Sequence, residues 1–525
     1  MELWKSTNSA STSFLTNDRC HSSSSLLHHF WPQQSILHHM RSLVLNRVEL
    51  SRPINTIRPP LLPRHSRLGG RKPAGYGPPS FSTSVRKSRP YEYAPLRVSE
   101  LNETSSSGSF DVVIIGSGII GLSIARQFLL GSDLSVAVID AAVPCSGATG
   151  AGQGYLWKVH KSPDTDKWEL AERSHQLWED LAKNVEFEGM DPSEMIGWKK
   201  TGSLLVGRTS EESSILRRKV KKLCDAGTRA EFLTSSDLLS EEPALVLEKE
   251  GGAAYAPDDC QLDARRAVAF IEKGNRQYAS EGRYAEFYHE PATSLLRSGN
   301  HGEVEAVQTS KNILHSKKAV ILAAGCWSGS LMHELIKHHD IELDLPIKPR
   351  KGHLLVIDNF KPFKLNHGLM EAGYVNHESL KSAPNSVSAH TVQTTSVSMT
   401  ATMNMSGGLI LGSSRQLVGF NIEVDESIIK RIWEQAGEFF PMLRKESLEE
   451  LRQNSEVRVG LRPYCTDGKP VIGPVPGLSN LFVAAGHEGE GLSLASGTAE
   501  MIVDMVLGNP GKVDPTPFAV RGRFC

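Results

Sequence analysis

The sequence has little of what marks disulfide-rich, zinc-binding or membrane-spanning proteins. Its 525 residues contain seven cysteines, scattered singly and without a C-x-x-C pair. Such scatter indicates neither a disulfide framework nor a zinc site, and it favours a reducing compartment. The longest apolar run, Val112–Leu122, is interrupted by glycines and falls short of the ~18 apolar residues that a membrane-spanning helix needs. We therefore expect no bound metal and no transmembrane segment.

The net charge of the whole chain is also close to zero, but its two parts carry net charges of opposite sign. Residues 1–98 hold 14 Lys and Arg against four acids, whereas residues 99–525 carry a net charge of −11. A nucleic-acid-binding domain normally carries an excess of positive charge on its folded part. The distribution of charge therefore excludes nucleic acid as a partner.

Residues 1–98 are predicted to be a disordered organellar transit region. They are rich in Ser and Arg, contain the pairs His28-His29 and His38-His39, and show no apolar periodicity. Such a composition buries too little surface to offset chain entropy, and Arg- and Ser-rich, acid-poor N-termini are typical of transit peptides. Serine richness favours the chloroplast, and the excess of Arg over Lys favours the mitochondrion. We favour the chloroplast, and either Met1 or Met40 can be the start.

A dinucleotide-binding unit is predicted to begin near Phe110. The apolar run 110–115 predicts a buried strand, which leads through Gly116-Ser117-Gly118-Ile119-Ile120-Gly121 into a helix over 122–130. A second strand over 134–139 ends at Asp140. This order of strand, glycine-rich turn, helix, strand and acid is the full dinucleotide-binding fingerprint.

Each part of this fingerprint has its own role. Gly116 permits the tight turn, Gly118 lets the backbone approach a pyrophosphate, and Gly121 lets the helix pack closely on the strand. The helix N-terminus offers free N–H groups to the phosphates. The Asp140 carboxylate accepts hydrogen bonds from ribose hydroxyls and repels a 2′-phosphate, which disfavours NADP.

Further glycine-rich segments favour FAD over NAD. The small-residue loop 146–154 offers bare backbone to a long cofactor. The apolar runs 318–325 and 480–487 predict two more strands that lead into glycines, and the second continues through Gly489 and Gly491 towards a helix over 492–507. Three such strands, far apart in sequence, predict one discontinuous domain around a long ligand.

Together these motifs resemble the D-amino-acid oxidase/glycine oxidase/sarcosine oxidase superfamily of FAD-dependent oxidoreductases. The resemblance covers roughly residues 110–510. Besides the fingerprint and the small-residue loop, it rests on these segments: Thr201-Gly202-Ser203-Leu204, Ala323-Ala324-Gly325-Cys326-Trp327-Ser328, Pro349-Arg350-Lys351-Gly352-His353, Gly407-Gly408-Leu409-Ile410-Leu411-Gly412-Ser413-Ser414, Gly460-Leu461-Arg462-Pro463 and Asp467-Gly468-Lys469-Pro470-Val471-Ile472-Gly473. The stretch 412–420 is similar to the branch that acts on imino acids and opines.

The resemblance implies oxidation of a C–N bond of an amino acid or related amine, with hydride transfer to flavin N5. Arg462 is then the residue that binds the substrate carboxylate, because a guanidinium suits bidentate binding. The alternative is a structural Arg462 paired with an acid such as Asp467. The helix that starts near Gly489 would point its N-terminus at the flavin and stabilise negative charge, which Glu488 and Glu490 would oppose unless they turn away.

The resemblance also implies which residues contact non-covalently bound FAD. Those not yet named follow the second strand, lie near the start of the predicted segment 286–345 of the FAD-binding domain, or flank the later glycines: Ala141, Ala148, Thr149, Gly152, Gln153, Gly154, Ala292, Ala324, Gly325, Trp327, Gly486, His487 and Leu492. Some relatives hold FAD through a cysteine near 461–462; Cys465 does not match that position.

Two departures from the family pattern affect the substrate. Thr400 stands near a substrate-binding tyrosine of glycine oxidases, and His353 stands where glutamine is commoner. An alternative function is therefore a catalytically quiet flavoprotein that acts as an assembly or scaffold factor for an organellar complex. The sequence leaves open the substrate and its chirality, the electron acceptor (oxygen, a quinone or a carrier protein) and the oligomeric state.

The predicted fold is α/β, with an interleaved α+β substrate domain. A discontinuous Rossmann-like FAD-binding domain takes residues 108–175, 286–345 and 450–515. A mixed-sheet substrate domain takes residues 176–285 and 346–449. Within the latter, the Ser-, Asn- and His-rich stretch Glu371–Gln393 is predicted to be a long loop over the substrate pocket or a mobile insertion.

Overall fold

A computed structural model describes residues 106–297, 303–336, 343–373 and 395–523. The predicted transit region, and all but the first three residues of the predicted loop Glu371–Gln393, lie outside these residues. Within them, no helix combines the length and the apolar character that crossing a bilayer requires.

The strands of the described residues form two eight-stranded sheets and one two-stranded ribbon. In chain order they are β1 Ser106–Ile115, β2 Val136–Ile139, β3 Tyr155–Leu156, β4 Ser203–Gly207, β5 Glu231–Thr234, β6 Gly252–Ala256, β7 Cys260–Gln261, β8 Tyr284–Phe287, β9 Ala292–Arg297, β10 Val304–Thr309, β11 Asn312–Leu322, β12 Ile347–Ile357, β13 Gly368–Glu371, β14 Ser396–Met403, β15 Leu409–Arg415, β16 Ser455–Cys465, β17 Val471–Val475 and β18 Leu478–Ala485.

The described α-helices cover the faces of these sheets. They are α1 Ile119–Gly131, α2 Trp168–Phe187, α3 Pro192–Ile196, α4 Ser210–Asp225, α5 Ser235–Glu241, α6 Ala264–Arg276, α7 Ser328–Ile336, α8 Glu426–Phe439, α9 Leu448–Leu451 and α10 Gly491–Leu507.

The first sheet has the strand order β17-β18-β11-β1-β2-β8, with β9 and β10 joined to it through β11. Strands β18, β11, β1, β2 and β8 run parallel. Parallel strands are covered on both faces, which explains their almost continuous apolar sequences. Their carboxyl ends therefore meet at one edge of the sheet, which is where ligands bind in doubly wound folds.

Helix α1 packs in the core on one face of this sheet. Its buried residues Leu122, Ile124 and Phe128 join a cluster that also contains residues of α2, α6 and α10. Asn275 of α6 donates a hydrogen bond from its side-chain amide to the Leu122 carbonyl at 3.1 Å. The cluster therefore brings together helices that are up to about 370 residues apart in sequence.

The second sheet has the order β16-β12-β15-β14-β13-β4-β6-β5 and is mixed. All of its pairs are antiparallel except β13 with β4. Helix α8 covers one face with Ile428, Ile429 and Ile432 in a separate core cluster. Each large sheet has core clusters of its own, which agrees with the predicted interleaved α/β fold class.

Three of the predicted segment boundaries fall inside regular elements, and one of these, at 449/450, divides the short helix α9. The boundary at 175/176 divides the continuous helix α2, and the boundary at 285/286 divides β8, which pairs with β2 of the first sheet. In addition, α6 is buried against α1 although its residues were assigned to the substrate domain. Helices α2 and α6 both belong to the core of the first sheet, because their apolar faces are buried there. The division of the whole chain into segments stays a prediction.

Candidate active site

The glycine-rich turn Gly116–Gly121 lies where β1 ends beside β11. Gly116 has φ +117°, and a Cβ there would lie 2.3 Å from the Ala323 carbonyl oxygen. A Cβ on Gly121 would lie 2.0 Å from the Gly116 carbonyl oxygen. Both glycines are therefore required by the backbone packing of the protein itself.

Gly118 differs from these two glycines. Its backbone has φ −69° and ψ 178°, which any residue can adopt. A Cβ there would have one neighbour within 4 Å, the Thr149 hydroxyl at 3.4 Å. Gly118 is also the N-cap of α1, and the first turn of α1 contains no acid. The fold leaves open space in front of a helix N-terminus, which suits a phosphate group.

Asp140 anchors the second strand to the glycine-rich turn. Its Oδ2 accepts hydrogen bonds from the Ser117 N–H at 2.7 Å and the Ser117 hydroxyl at 2.8 Å, and its Oδ1 accepts one from the Ala142 N–H at 2.7 Å. The side chain is half-buried, and an ionised carboxylate has about four acceptor sites. Asp140 can therefore still accept a hydrogen bond from a ribose hydroxyl.

The predicted cofactor loop over 146–154 contacts both the start of α1 and the second sheet. Thr149 accepts a hydrogen bond from the Ile119 N–H at 3.2 Å, which ties the loop to the start of α1. Gln153 is buried; it accepts a hydrogen bond from the Thr400 hydroxyl at 2.8 Å and donates one to the Ile410 carbonyl at 3.3 Å. Gln153 thus joins the loop to the second sheet, and the hydroxyl of Thr400 is one of its hydrogen-bond partners there.

Other predicted cofactor residues line the same edge of the first sheet. Gly325, at φ +56°, follows β11, and Trp327 is 40% exposed and stacks on Phe420 with ring centroids 5.9 Å apart. A Cβ on Gly147 would lie 3.6 Å from the Trp327 ring. The remaining predicted contacts lie nearby in the chain or at the end of a strand: Ala141 and Ala148 in the region after β2, Gly152 and Gly154 in the loop before β3, Ala292 at the start of β9, Ala324 after β11, and Gly486, Gly491 and Leu492 around the start of α10.

Arg462 lies beside the first turns of α10. Its Nε lies 3.7 Å from the point where a Cβ on Gly489 would stand, and the Tyr155 hydroxyl lies 3.7 Å from the same point. One guanidinium N–H of Arg462 donates to the Ser414 carbonyl at 2.8 Å. The bare face of Gly489 therefore opens between a guanidinium and a phenol hydroxyl, which together suit a carboxylate.

The alternative partner for Arg462 is engaged elsewhere. Asp467 pairs with Arg523 at 2.7 Å. Within the part of the chain that the structure describes, Arg462 has no ion pair within 4 Å. The alternative pairing of Arg462 with Asp467 is not seen among the described residues, because Arg523 from the C-terminal segment pairs with that carboxylate.

Glu488 stays close to the start of α10, since its carboxylate accepts a hydrogen bond from the Gly489 N–H. It adopts φ +51°, and its Oε1 accepts a hydrogen bond from Arg350 Nε at 2.9 Å. Burial would raise the pKa of Glu488, but Arg350, Arg462 and Arg415 lower it to about 2. The carboxylate is therefore ionised, and arginines from three neighbouring strands offset its charge.

Glu490 is compensated by a different set of cations. Its two carboxylate oxygens form ion pairs with Lys161 and Lys167, which lie in the chain before α2. Burial would raise the pKa of Glu490, but these lysines hold it well below its usual range. Both glutamates thus lie close to the helix start without leaving an uncompensated negative charge there.

Two histidines near the site are neutral and structural. Burial lowers the pKa of His487 to about 4, and its Nε2 lies 3.0 Å from the Thr498 hydroxyl. Burial and Lys351 lower the pKa of His353 to about 4. His353 Nε2 accepts a hydrogen bond from the Asp425 N–H at 3.2 Å, so this ring holds the chain that leads into α8.

The sequence pointed to neither Tyr155 nor the two lysines as site residues. Tyr155 belongs to the short strand β3, and Lys161 and Lys167 belong to no motif. Arg350 was noted within a family segment but without a role. Lys161, Lys167 and Arg350 compensate the two glutamates near Gly489. The glutamates themselves were a signal in the sequence that such cations should be nearby, because buried carboxylates are normally paired.

Cys465 is buried at 1% exposure and packs in the core cluster of the first sheet. Burial raises the pKa of its thiol to about 11. The thiolate needed for attachment to a cofactor is therefore disfavoured, which agrees with the prediction of non-covalent FAD.

Comparison with protein-family models gives a match over most of the folded chain. The model described as "FAD dependent oxidoreductase" matches residues 111–505. The chain belongs to this family. FAD is therefore its cofactor, as predicted, and the open space at Gly118, the uncapped start of α1 and the half-buried Asp140 fit that group.

The matches between this FAD-dependent oxidoreductase and individual relatives cover nearly the whole length of each relative. Glycine oxidase of Geobacillus kaustophilus is 26% identical over 413 residues, covering 78% of this chain and 96% of the relative. The hydrogen cyanide synthase subunit HcnC of Pseudomonas protegens is 24% identical over 451 residues, covering 79% and 96%.

Solved structures agree with the fold. The crystal structure of the Geobacillus kaustophilus glycine oxidase matches with a TM-score of 0.64 and 23% identity, covering 79% of this chain and 99% of that one. L-proline dehydrogenase from P. horikoshii matches with a TM-score of 0.63 and 19% identity, covering 79% and 98%. The predicted α/β fold class is confirmed.

Proposed function

We propose that this flavoprotein oxidises the C–N bond of an amino acid or a related carboxylated amine. The observation that carries the proposal is the position of Arg462 beside the bare face of Gly489, at the start of α10. A guanidinium there can hold a substrate carboxylate, and bound FAD accepts the hydride at its N5. The Tyr155 hydroxyl lies at the same 3.7 Å from the position of a Gly489 Cβ, so both groups are close to this bare face.

The names of several relatives support this substrate class. Glycine oxidases, an L-proline dehydrogenase and an iminodiacetate oxidase are among the similar proteins. All three names specify an amino or imino acid. The names of these relatives are those of enzymes and not of scaffold factors, so the alternative of a catalytically quiet assembly protein has no support.

The protein's own residues bind and orient the substrate rather than remove its proton. His487 and His353 are buried and neutral, and Glu488 and Glu490 are fully engaged by cations. We therefore propose that the amine binds in its neutral form and that no dedicated base acts.

The test is the visible spectrum of the holoenzyme during anaerobic addition of D-, L- and cyclic amino acids, each paired with its decarboxylated amine. We expect the flavin band to bleach with a carboxylated member of the panel and not with its decarboxylated partner. A flavin that responds equally to both would refute the role of Arg462. A flavin inert to the whole panel would refute the proposed substrate class.

We also propose that residues 1–98 direct the chain to an organelle, with the chloroplast favoured. The support is their acid-poor, Arg- and Ser-rich composition. Fluorescent fusions of residues 1–98 and of residues 40–98 should both enter the same organelle if Met40 is a functional start. A cytosolic signal from the longer fusion would contradict the proposal.

A further inference from the structure

A group of metal-ligating side chains lies outside the flavin site, between α2 and the ribbon of β3 and β7. His175 and Glu179 stand one turn apart on α2, and Cys260 begins β7. One ligand atom from each residue lies within 4.8 Å of the other two. Because residues at i and i+4 share a helix face, the histidine and the glutamate both face the thiol.

The histidine of this group has a buried ring nitrogen without a hydrogen bond. His175 is 7% exposed, and its Nε2 has no hydrogen-bond partner among the described residues. The Glu179 carboxylate oxygen lies 3.8 Å away, too far for a hydrogen bond. An orphaned buried polar atom is rare in proteins, and an unseen ion is one of its standard causes.

We propose that His175, Glu179 and Cys260 bind a zinc ion. Imidazole nitrogen, thiolate sulfur and carboxylate oxygen are all zinc ligands, with bonds of about 2.0–2.3 Å. Tetrahedral bonds of that length place ligand atoms roughly 3.3–3.8 Å apart, so the group needs to close by only about 1 Å. The Glu179 side chain is 29% exposed, which leaves a solvent-facing side for a fourth ligand, a water molecule.

The charges around the group permit a cation. Lys158 lies 3.0 Å from Glu172, and Lys200 lies 2.7 Å from Asp258, so each nearby lysine is neutralised by its own carboxylate. Burial raises the pKa of the Cys260 thiol. Zinc binds cysteine as the thiolate, so its binding would displace the thiol proton.

The position of the group indicates what the metal does. Cys260 pairs with Leu156, and Gln261 pairs with Tyr155, the residue whose hydroxyl faces Gly489. Helix α2 packs on α10, and Trp178 of α2 donates a hydrogen bond to the Leu492 carbonyl at 2.9 Å. A zinc ion would join α2 to the ribbon that carries Tyr155, so its role is to stabilise the wall of the active site. This inference does not depend on the proposed substrate.

The experiment measures zinc in the purified full-length holoenzyme by elemental analysis and by titration against a chromophoric chelator. The variants are His175→Gln and Cys260→Ser, with His333→Gln and Cys224→Ser as controls at exposed positions. Flavin content and thermal unfolding show whether each variant folds. Cobalt added in place of zinc reports the sulfur ligand through a thiolate charge-transfer band in the difference spectrum.

We expect one zinc per chain, at least a tenfold loss of affinity in both site variants, and no change in the controls. Cobalt should give the thiolate band in the wild type and not in Cys260→Ser. Zinc that binds equally in all variants would show that the metal lies elsewhere in the chain and would overturn the proposal. Absence of zinc and of the cobalt band in the wild type would also overturn it. If Cys260→Ser fails to fold, Glu179→Gln supplies the second ligand test.

Discussion

The two sides of the active site are built in different ways. On the cofactor side, the glycine-rich turn and Asp140 lie within 25 consecutive residues and act through backbone space and local hydrogen bonds. On the substrate side, Arg350 reaches a glutamate 138 residues away, and Arg462 reaches a carbonyl 48 residues away. The cofactor side thus depends on steric tolerance, and the proposed substrate side depends on long-range charge compensation. Substitutions on the two sides should therefore fail in different ways.

The largest effect is expected from Gly121→Ala. Its Cβ would lie 2.0 Å from the Gly116 carbonyl oxygen, so the backbone of α1 must move away from β1. We expect a loss of more than about 4 kcal/mol in the free energy of unfolding, seen as insoluble protein or a collapsed melting temperature.

Gly118→Val is the matched contrast to that substitution. Its backbone angles suit valine, and the nearest obstacle is 3.4 Å from the new Cβ. We expect a folded, colourless protein with a normal far-UV circular dichroism spectrum. Yellow protein with full flavin content would show that Gly118 does not face the cofactor.

On the substrate side, Glu488→Gln should destabilise the protein by about 3 kcal/mol at pH 7, because it leaves buried arginine charge uncompensated. The pKa of Glu488 is lowered from 4.5 to about 2. Its contribution is therefore complete above pH 4.5 and is lost as the pH falls from 4.5 towards 2. The difference between wild type and variant should shrink over that interval in denaturant titrations.

The exposed pair of Glu438 and Arg444 provides the control for this substitution. Glu438→Gln should cost about 0–1 kcal/mol, as is usual for surface pairs. The double variant Glu488→Gln/Arg350→Met should recover part of the lost stability. Equal losses at 438 and 488 would show that Glu488 is not a buried, compensated charge.

Arg462→Ala should lower kcat/KM, mainly by raising KM, while FAD stays bound. The expected decrease corresponds to a loss of about 2–5 kcal/mol in binding free energy. The physical reason is the loss of a charge-assisted pair with the substrate carboxylate. Arg444→Ala, which removes an exposed guanidinium, is the kinetic control. An unchanged KM in Arg462→Ala with full flavin content would remove Arg462 from the substrate site.

The smallest effect is expected where the two sides meet. Trp327, next to the predicted cofactor contacts, stacks on Phe420 of the segment after β15. Aromatic pairs contribute about 0.5–1.5 kcal/mol beyond their buried area. Trp327→Ala should therefore cost about 1 kcal/mol in stability, and a double-mutant cycle with Phe420→Ala should show coupling of that size. No coupling would mean that the stacked pair does not join the two sides.

Local patterns predicted the cofactor side well. The predicted strand 110–115 lies within β1, the second strand 134–139 overlaps β2, and the predicted helix 492–507 agrees with α10 to within one residue. The fingerprint is readable because each of its requirements, a turn, a close approach and a helix start, is met by neighbouring residues. The sequence did not show that α2 continues across the predicted boundary at 175/176, because the apolar face of α2 is buried in a core whose other members are distant in sequence.

By itself, the sequence determined the FAD-binding fold, the glycines that shape it and the candidate role of Arg462, since these depend on short segments whose spacing reflects the local backbone. Only the tertiary structure decided which cations compensate Glu488 and Glu490, that Asp467 belongs to Arg523, and that Tyr155 faces Gly489. It also decided that His175, Glu179 and Cys260 meet, although their spacing along the chain matches no zinc motif. Charge pairs and metal ligands act across space, so a linear sequence does not reveal which side chains become neighbours when two sheets and their helices pack.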